Sequence, residues 1–263
     1  MRRICFGNQK GGVGKTTTAV NLAAALALTG HRTLLVDLDS QGSASTGVGA
    51  SSSGATVYDV LVNDTPASSA LCTTSLAELD VIPADRNLAG AELELVNESA
   101  REYRLRDKLE EVRSGYECVL IDCPPSLGMI TVNALSAADS VLIPLQCEYY
   151  ALEGLTSLLD TVERIRGAFN PALVVDGILL TMFDGRTSLS RQVAEQVRNH
   201  FRGLVLSTVI PRNVRISESP SHGLPVLLYD PASKGAEAYR AAGDEILKKY
   251  LIIRVLAKIK SAG

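Results

Sequence analysis

Gln9-Lys10-Gly11-Gly12-Val13-Gly14-Lys15-Thr16-Thr17-Thr18 stands between a short apolar run, Ile4-Cys5-Phe6, and an alanine-rich run from Ala19 to Ala27. The first run reads as a strand and the second as a helix. Strand, glycine loop and helix in that order is the context of a phosphate-binding loop. Glycines let the backbone curl without a Cβ clash, so successive N–H groups can face one anion. The helix adds its unsatisfied N–H groups and the positive end of its dipole. Gly11, Gly12, Val13, Gly14, Lys15, Thr16 and Thr17 are therefore the candidate nucleotide-binding residues. Lys15 is placed to reach the β- and γ-phosphates, and the Thr16 hydroxyl to ligate Mg²⁺.

The loop departs from the common pattern at one end. Gln9 stands where that pattern has glycine, and a second lysine, Lys10, follows it. Lys10 cannot easily share the phosphate face already used by Lys15, so it is expected to point outward. A solvated surface lysine is the plainer alternative.

The chain has 263 residues, 46% of them apolar and 5% aromatic, with no tryptophan. That composition fits a packed core rich in Ala, Leu and Val and excludes a disordered chain. A net charge of −3 gives no global basic field, so any nucleic-acid binding has to come from a local patch. Five cysteines (Cys5, Cys72, Cys118, Cys123, Cys147) lie scattered, mostly in apolar runs and with no C-x-x-C pair. They read as free buried thiols rather than disulfides or zinc ligands. His31, His200 and His222 show no metal spacing. The N-terminus runs directly into a strand, leaving no room for a secretion signal. No apolar run approaches the ~18–20 residues of a membrane span.

Taken in order, the chain alternates. Strands are expected over 2–7, 33–39, 79–83, 118–122, 140–145, 174–182 and 206–210, helices over 16–28, 88–96, 103–112, 151–166, 189–201 and 232–256, and a short helix or turn over 57–62. Gly/Ser-rich residues 40–54 read as a mobile loop. This is an α/β pattern with a doubly wound, mostly parallel sheet flanked by helices. With no clear linker, residues 1–250 are taken as one P-loop NTPase domain and 251–263 as a tail.

Acids close two of the strands. Asp37 and Asp39 are two apart at the end of Leu34-Leu35-Val36, and both are expected to approach the loop, since ligands sit beyond the carboxyl ends of parallel strands. Cys118-Val119-Leu120-Ile121-Asp122 has the form of a second Mg²⁺-holding strand end. ATP hydrolysis needs held phosphates, neutralised charge and a placed water. Lys15 serves the first need, and Thr16, Mg²⁺ and Asp122 serve the second. Asp39 is the candidate for placing the water, and it also counts among the metal candidates. Asp37 is the alternative. Between 186 and 215 stand Arg186, Arg191, Arg198, Arg202, Arg212 and Arg215 against Glu195 alone, six positive charges less one negative, or +5. Clustered arginine suits DNA phosphates without base reading.

K-G-G-V-G-K-T-T at 10–17 resembles the deviant Walker A motif of the ParA/MinD group of P-loop ATPases. The resemblance extends through L-V-D-L-D-S-Q-G at 35–42, I-D-C-P-P-S-L-G at 121–128, P-L-Q-C-E-Y-Y-A-L-E-G-L at 144–155 and V-I-P-R-N-V-R-I-S-E-S-P-S-H-G-L-P-V at 209–226, which are similar to the ParA/Soj branch. It spans roughly residues 2–250. It implies an ATP-dependent DNA-partitioning ATPase with ATP and Mg²⁺ as cofactors, acting in the cytoplasm and on the nucleoid. It implies an ATP-sandwich homodimer in which Lys10 reaches the partner's nucleotide. It also implies non-specific binding of double-stranded DNA, and a ParB-type centromere-binding protein that stimulates hydrolysis. It supports Asp39 as the residue that orients the attacking water. By resemblance Arg186 and Arg215 fall at DNA-contacting positions, and Arg212, Asn213, Met182 and Pro211 near the adenine. Ser40 stands where the family commonly has proline.

Alternatives remain open at this stage. The apolar and basic run from Leu251 to Lys260 suits either a packed helix end or a membrane-surface helix of the MinD kind, although a membrane is not the expected partner. A carboxylate-activating synthetase and an iron–sulfur carrier share the scaffold. The scattered thiols argue against the carrier.

Overall fold

The computed structural model describes residues 1–50, 54–149 and 151–261, with side chains described as far as Lys249 and Tyr250. The strands are β1 (Arg2–Phe6), β2 (Thr33–Asp37), β3 (Cys72–Thr73), β4 (Leu79–Ile82), β5 (Cys118–Asp122), β6 (Ser140–Gln146), β7 (Val174–Phe183) and β8 (Val205–Pro211). Among the described residues they form one sheet in the order β3-β4-β2-β5-β1-β6-β7-β8. Every neighbouring pair is parallel except the two-residue edge strand β3 against β4.

The helices are α1 (Lys15–Leu28), α2 (Ser43–Gly47), α3 (Val57–Leu61), α4 (Ala91–Glu94), α5 (Arg104–Glu111), α6 (Met129–Ala137), α7 (Ala151–Ala168), α8 (Ser188–His200), α9 (Val214–Glu218), α10 (Val226–Tyr229) and α11 (Lys234–Ser261). Side chains alternate along each strand, so one strand feeds two cores. Leu34, Val36, Val119 and Ile121 pack with α3, α5, α6, α7 and α8 on one face. Leu35, Leu120, Phe6 and Leu179 pack with α1, α10 and α11 on the other. Sheets covered on both faces read as continuous apolar runs, and every residue of β2 and β5 is buried. β1 lies between β5 and β6, and from it the chain winds first to one side and then to the other. That puts the glycine loop at the topological switch point, where such sheets take ligands.

Several elements differ from the sequence expectation. β2 stops at Asp37, because the Asp39 N–H turns back to donate to Asp37 Oδ1 at 3.1 Å. The helix expected over 88–96 is broken into α4 and two flanking 3₁₀ turns around Gly90, leaving Leu93 80% and Val96 53% exposed. The loop expected over 40–54 contains α2, and its residues 51–53 lie outside the described residues. α6, α9 and α10 were not expected. The tail expected from 251 is the continuation of α11 as far as Ser261, and its side chains lie outside the described residues. The five cysteines are free, four of them buried.

The turn after α2 packs backbone to backbone on the turn that follows α9. Gly49 has φ +73°, and a Cβ there would lie 2.9 Å from the Gly223 carbonyl oxygen. Both the positive φ and the contact reject a side chain. Gly49→Ala is expected to lower unfolding stability by about 1–3 kcal/mol in urea titration; an unchanged midpoint would show that the two turns can part freely.

Candidate functional site

The phosphate loop is fixed from below. Gly14, at φ +89°, leads the chain into α1, and the Thr18 N–H donates to its carbonyl at 2.9 Å. Thr181 Oγ1 on β7 donates to the Val13 carbonyl at 2.8 Å. The Val13 side chain is buried in the protein, so only its backbone can serve the cradle. Lys15 is 7% exposed, and its Nζ donates to the Lys10 carbonyl at 3.2 Å. Burial lowers the Lys15 pKa below the ordinary lysine value, while the nearby Asp122, Cys123 and Asp39 pull it back up.

Three acids lie at or just beyond the carboxyl ends of β2 and β5, in different states. Asp37 is fully buried and accepts from the Ser45 N–H at 2.8 Å and the Ser45 Oγ at 2.7 Å. Burial raises its pKa, and these bonds oppose the rise. It therefore anchors the start of α2. Asp39 is half-buried and lines a cavity of about 250 Å³ with Gly11, Gly12, Gly14, Lys15, Thr16 and Thr17. Asp122 sits directly beside Asp37 in the β2–β5 register and is completely buried. Neither of its carboxylate oxygens has a partner of hydrogen-bond geometry. Burial first, then repulsion by Asp37, pushes its pKa up to about 8, with the nearby Thr16 hydroxyl and Lys15 acting against the rise.

An orphaned, buried carboxylate beside a threonine hydroxyl and a phosphate cradle fits a divalent cation. Among the described residues no group of three or more His, Cys, Asp or Glu side chains is placed to hold a metal ion by itself. An ion held by so few protein oxygens would keep most of its shell as water and phosphate oxygen, as Mg²⁺ does. Thr16 and Asp122 would hold it, and Asp39 would face it across the cavity. Bound there, it would neutralise charge developing on the phosphates.

A second cavity, of about 410 Å³, adjoins the first through Gly14, Thr17 and Met182. Pro211, Arg212 and Asn213 line it, together with Ile216, Pro220 and Tyr239. The sequence reading did not single out the last three, and no local signal marks them. Met182 adopts φ +49°, outside the usual range for a side chain of its size. Asn213 caps α9, its Oδ1 accepting from the Arg215 N–H at 2.8 Å. The two candidate arginines follow the ends of adjacent strands, since Phe183 on β7 pairs with Pro211 on β8. Both already hold carboxylates of this chain. Arg186, 89% exposed, makes two bonds to Asp184, at 2.9 and 2.8 Å. Arg215 pairs with Glu218 at 2.9 Å and Asp230 at 3.2 Å. The +5 counted from 186 to 215 is therefore offset by acids just outside that window. Lys10 lies at the loop mouth, its Nζ 2.8 Å from Glu148.

A glycine phosphate loop at the switch point, an acid at the end of β5, another just beyond β2 and an adjoining cavity have the layout of a P-loop ATPase. The family model described as an AAA domain matches residues 1–175. The chromosome partitioning protein ParA of Myxococcus xanthus is 55% identical over 250 residues, 94% of this chain and 88% of that protein. The sporulation initiation inhibitor protein Soj of Bacillus subtilis is 55% identical over 245 residues, 92% of this chain and 97% of that protein. A Mycobacterium smegmatis structure described as cobyrinic acid a,c-diamide synthase, with bound ATP analogue and magnesium, has TM-score 0.83 at 38% identity, covering 95% of this chain and 96% of that one. The cell division ATPase MinD of Pyrococcus furiosus has TM-score 0.78 at 27% identity, covering 94% and 98%. The chain belongs to the ParA/Soj family of partitioning ATPases. It is an ATPase, and ATP and Mg²⁺ are its cofactors.

The raised Asp122 pKa has a consequence for the metal-free protein. Between about pH 4 and pH 8 the native state keeps a proton that the unfolded chain has released, so stability falls as pH rises through that window. Asp37 acts in the same direction. Asp122→Asn is expected to flatten the decline measured by thermal melts in a metal chelator. An identical slope in the variant would contradict the assignment.

Proposed function

We propose that this chain moves DNA by an ATP-gated cycle. In its ATP state two copies form a sandwich that holds double-stranded DNA without sequence preference. A ParB-type partner then stimulates hydrolysis, and the pair separates and leaves the nucleoid. The observation that carries this reading is 55% identity to a chromosome partitioning protein over 94% of the chain. No helix among the described residues is long and apolar enough to cross a membrane.

Each residue then has a task in one ATPase unit, residues 1–250. Gly11, Gly12, Val13, Gly14 and Thr17 cradle the phosphates with Lys15. Thr16 and Asp122 hold Mg²⁺, and Asp39 orients the attacking water. Met182, Pro211, Arg212 and Asn213 surround the base. Lys10 crosses to the partner's triphosphate and brings a cation that the monomer lacks at that point. Arg186 and Arg215 exchange Asp184, Glu218 and Asp230 for DNA phosphates. Exposed ion pairs are weak enough for such an exchange.

Retention on non-specific DNA tests the cycle. Wild type is expected to bind with ATP and to elute with ADP. Arg186→Ala and Arg215→Ala are each expected to weaken binding and to flatten the log–log salt dependence by about 1 per subunit. Retention indifferent to nucleotide and to both arginines would refute the DNA reading. Turnover that requires a small carboxylic acid and ignores DNA would instead favour a synthetase like the Mycobacterium smegmatis neighbour.

A further inference from the structure

The mouth of the phosphate loop is tied to its own chain at three atoms of Lys10. Its N–H donates to Asn8 Oδ1 at 3.0 Å. Its carbonyl accepts from Lys15 Nζ at 3.2 Å. Its own Nζ lies 2.8 Å from Glu148 Oε2, and the two side chains are 44% and 45% exposed. Asn8 Nδ2 donates in turn to the Pro144 carbonyl at 2.8 Å, so two of these ties end on β6 or the turn just after it.

Glu148 is mounted rather than loose. Gln146, the last residue of β6, donates from Nε2 to the other carboxylate oxygen, Oε1. The Glu148 N–H donates to the Gln146 carbonyl at 2.8 Å, and its carbonyl accepts from Ala151 at the start of α7 at 3.0 Å. One oxygen is thus oriented by the strand end, and the other is turned to the loop lysine. An opportunistic surface pair would lack this second partner.

The ties differ in what would undo them. Lys15 here donates to a neutral carbonyl, and a phosphate is a charged and stronger acceptor. Nucleotide entry therefore draws Lys15 away from the Lys10 carbonyl and frees the backbone at the loop mouth. The Glu148 tie is untouched by that event, because it holds the ammonium and not the backbone. An ammonium turned to Glu148 of its own chain is turned away from any second subunit.

We propose that Glu148 is a positioning residue that keeps Lys10 on its own chain until a second subunit's triphosphate competes for it. It thereby sets the concentration at which ATP drives two copies together. This rests on the reading of Lys10 as a residue that acts across the dimer. A half-exposed ion pair suits the task. It biases the lysine, and a triphosphate of several negative charges can displace it.

Glu148→Gln keeps the shape and an acceptor for Gln146 and removes the charge. Two measurements on the full chain follow. In nucleotide-free monomer, the rate of amine labelling at Lys10, read by mass spectrometry, is expected to rise about two- to fivefold. With Mg²⁺ and a non-hydrolysable ATP analogue, the protein concentration at half-dimerisation, read by sedimentation, is expected to fall about two- to fivefold. ATP affinity of the dilute monomer is expected to stay unchanged, which a general structural defect would not allow. Unchanged labelling, or a variant that dimerises no more readily than wild type, overturns the proposal. A wild type that stays monomeric at saturating analogue defeats the dimer reading itself, and this proposal with it.

Discussion

Two buried carboxylates stand side by side at the end of the sheet, and only one of them is satisfied. Asp37 spends its oxygens on Ser45 and the Asp39 N–H. Asp122, its register neighbour, has none of these bonds. A charge buried without a partner is costly, and an isolated acid in that position would simply hold its proton. The cost is tolerable in a protein that fills the place with a cation and phosphates. Lys15 carries the mirror image of the same problem. Burial disfavours its charge, and the acids around it oppose that only in part. A cation and phosphates bound there would supply the counter-charges that both groups lack. That is how a binding site differs from a core.

The same edge organises the rest of the molecule. The ends of β1, β2 and β5 bring the loop, Asp39 and Asp122 together, while the ends of β7 and β8 bring Met182, Pro211 and Asn213 to the adjoining cavity. Arg186 and Arg215 leave from those same two ends. Nucleotide and candidate DNA contacts therefore share short stretches of backbone. On the other side, Asp37 pins α2, and the turn after α2 rests against Gly223. A change at the β2 end has a packed route to the segment that follows α9.

The glycine loop, the apolar strands and their closing acids were legible in the sequence because each is a local pattern with one physical meaning. Parallel strands covered on both faces leave unbroken apolar runs, and β2 and β5 are such runs. What escaped depends on distant partners. α6 is buried on nearly every side, so it shows no amphipathic period. α2 lies in a Gly/Ser-rich stretch that reads as loop, and the carboxylate that anchors it comes from β2. The arginine cluster looked strongly positive because Asp184, Glu218 and Asp230 lie outside its window. Lys10 was legible as unusual, but its partner Glu148 lies 138 positions away.

Titration of ATP into the protein by calorimetry, with and without Mg²⁺, reaches the unsatisfied Asp122 most directly. Mg²⁺ is expected to tighten ATP binding to wild type by about tenfold or more, or ~1.4 kcal/mol, and Asp122→Asn to erase that gain while leaving metal-free binding intact. ATP binding to wild type that ignores Mg²⁺, or a full Mg²⁺ gain in the variant, would contradict a site built around that carboxylate.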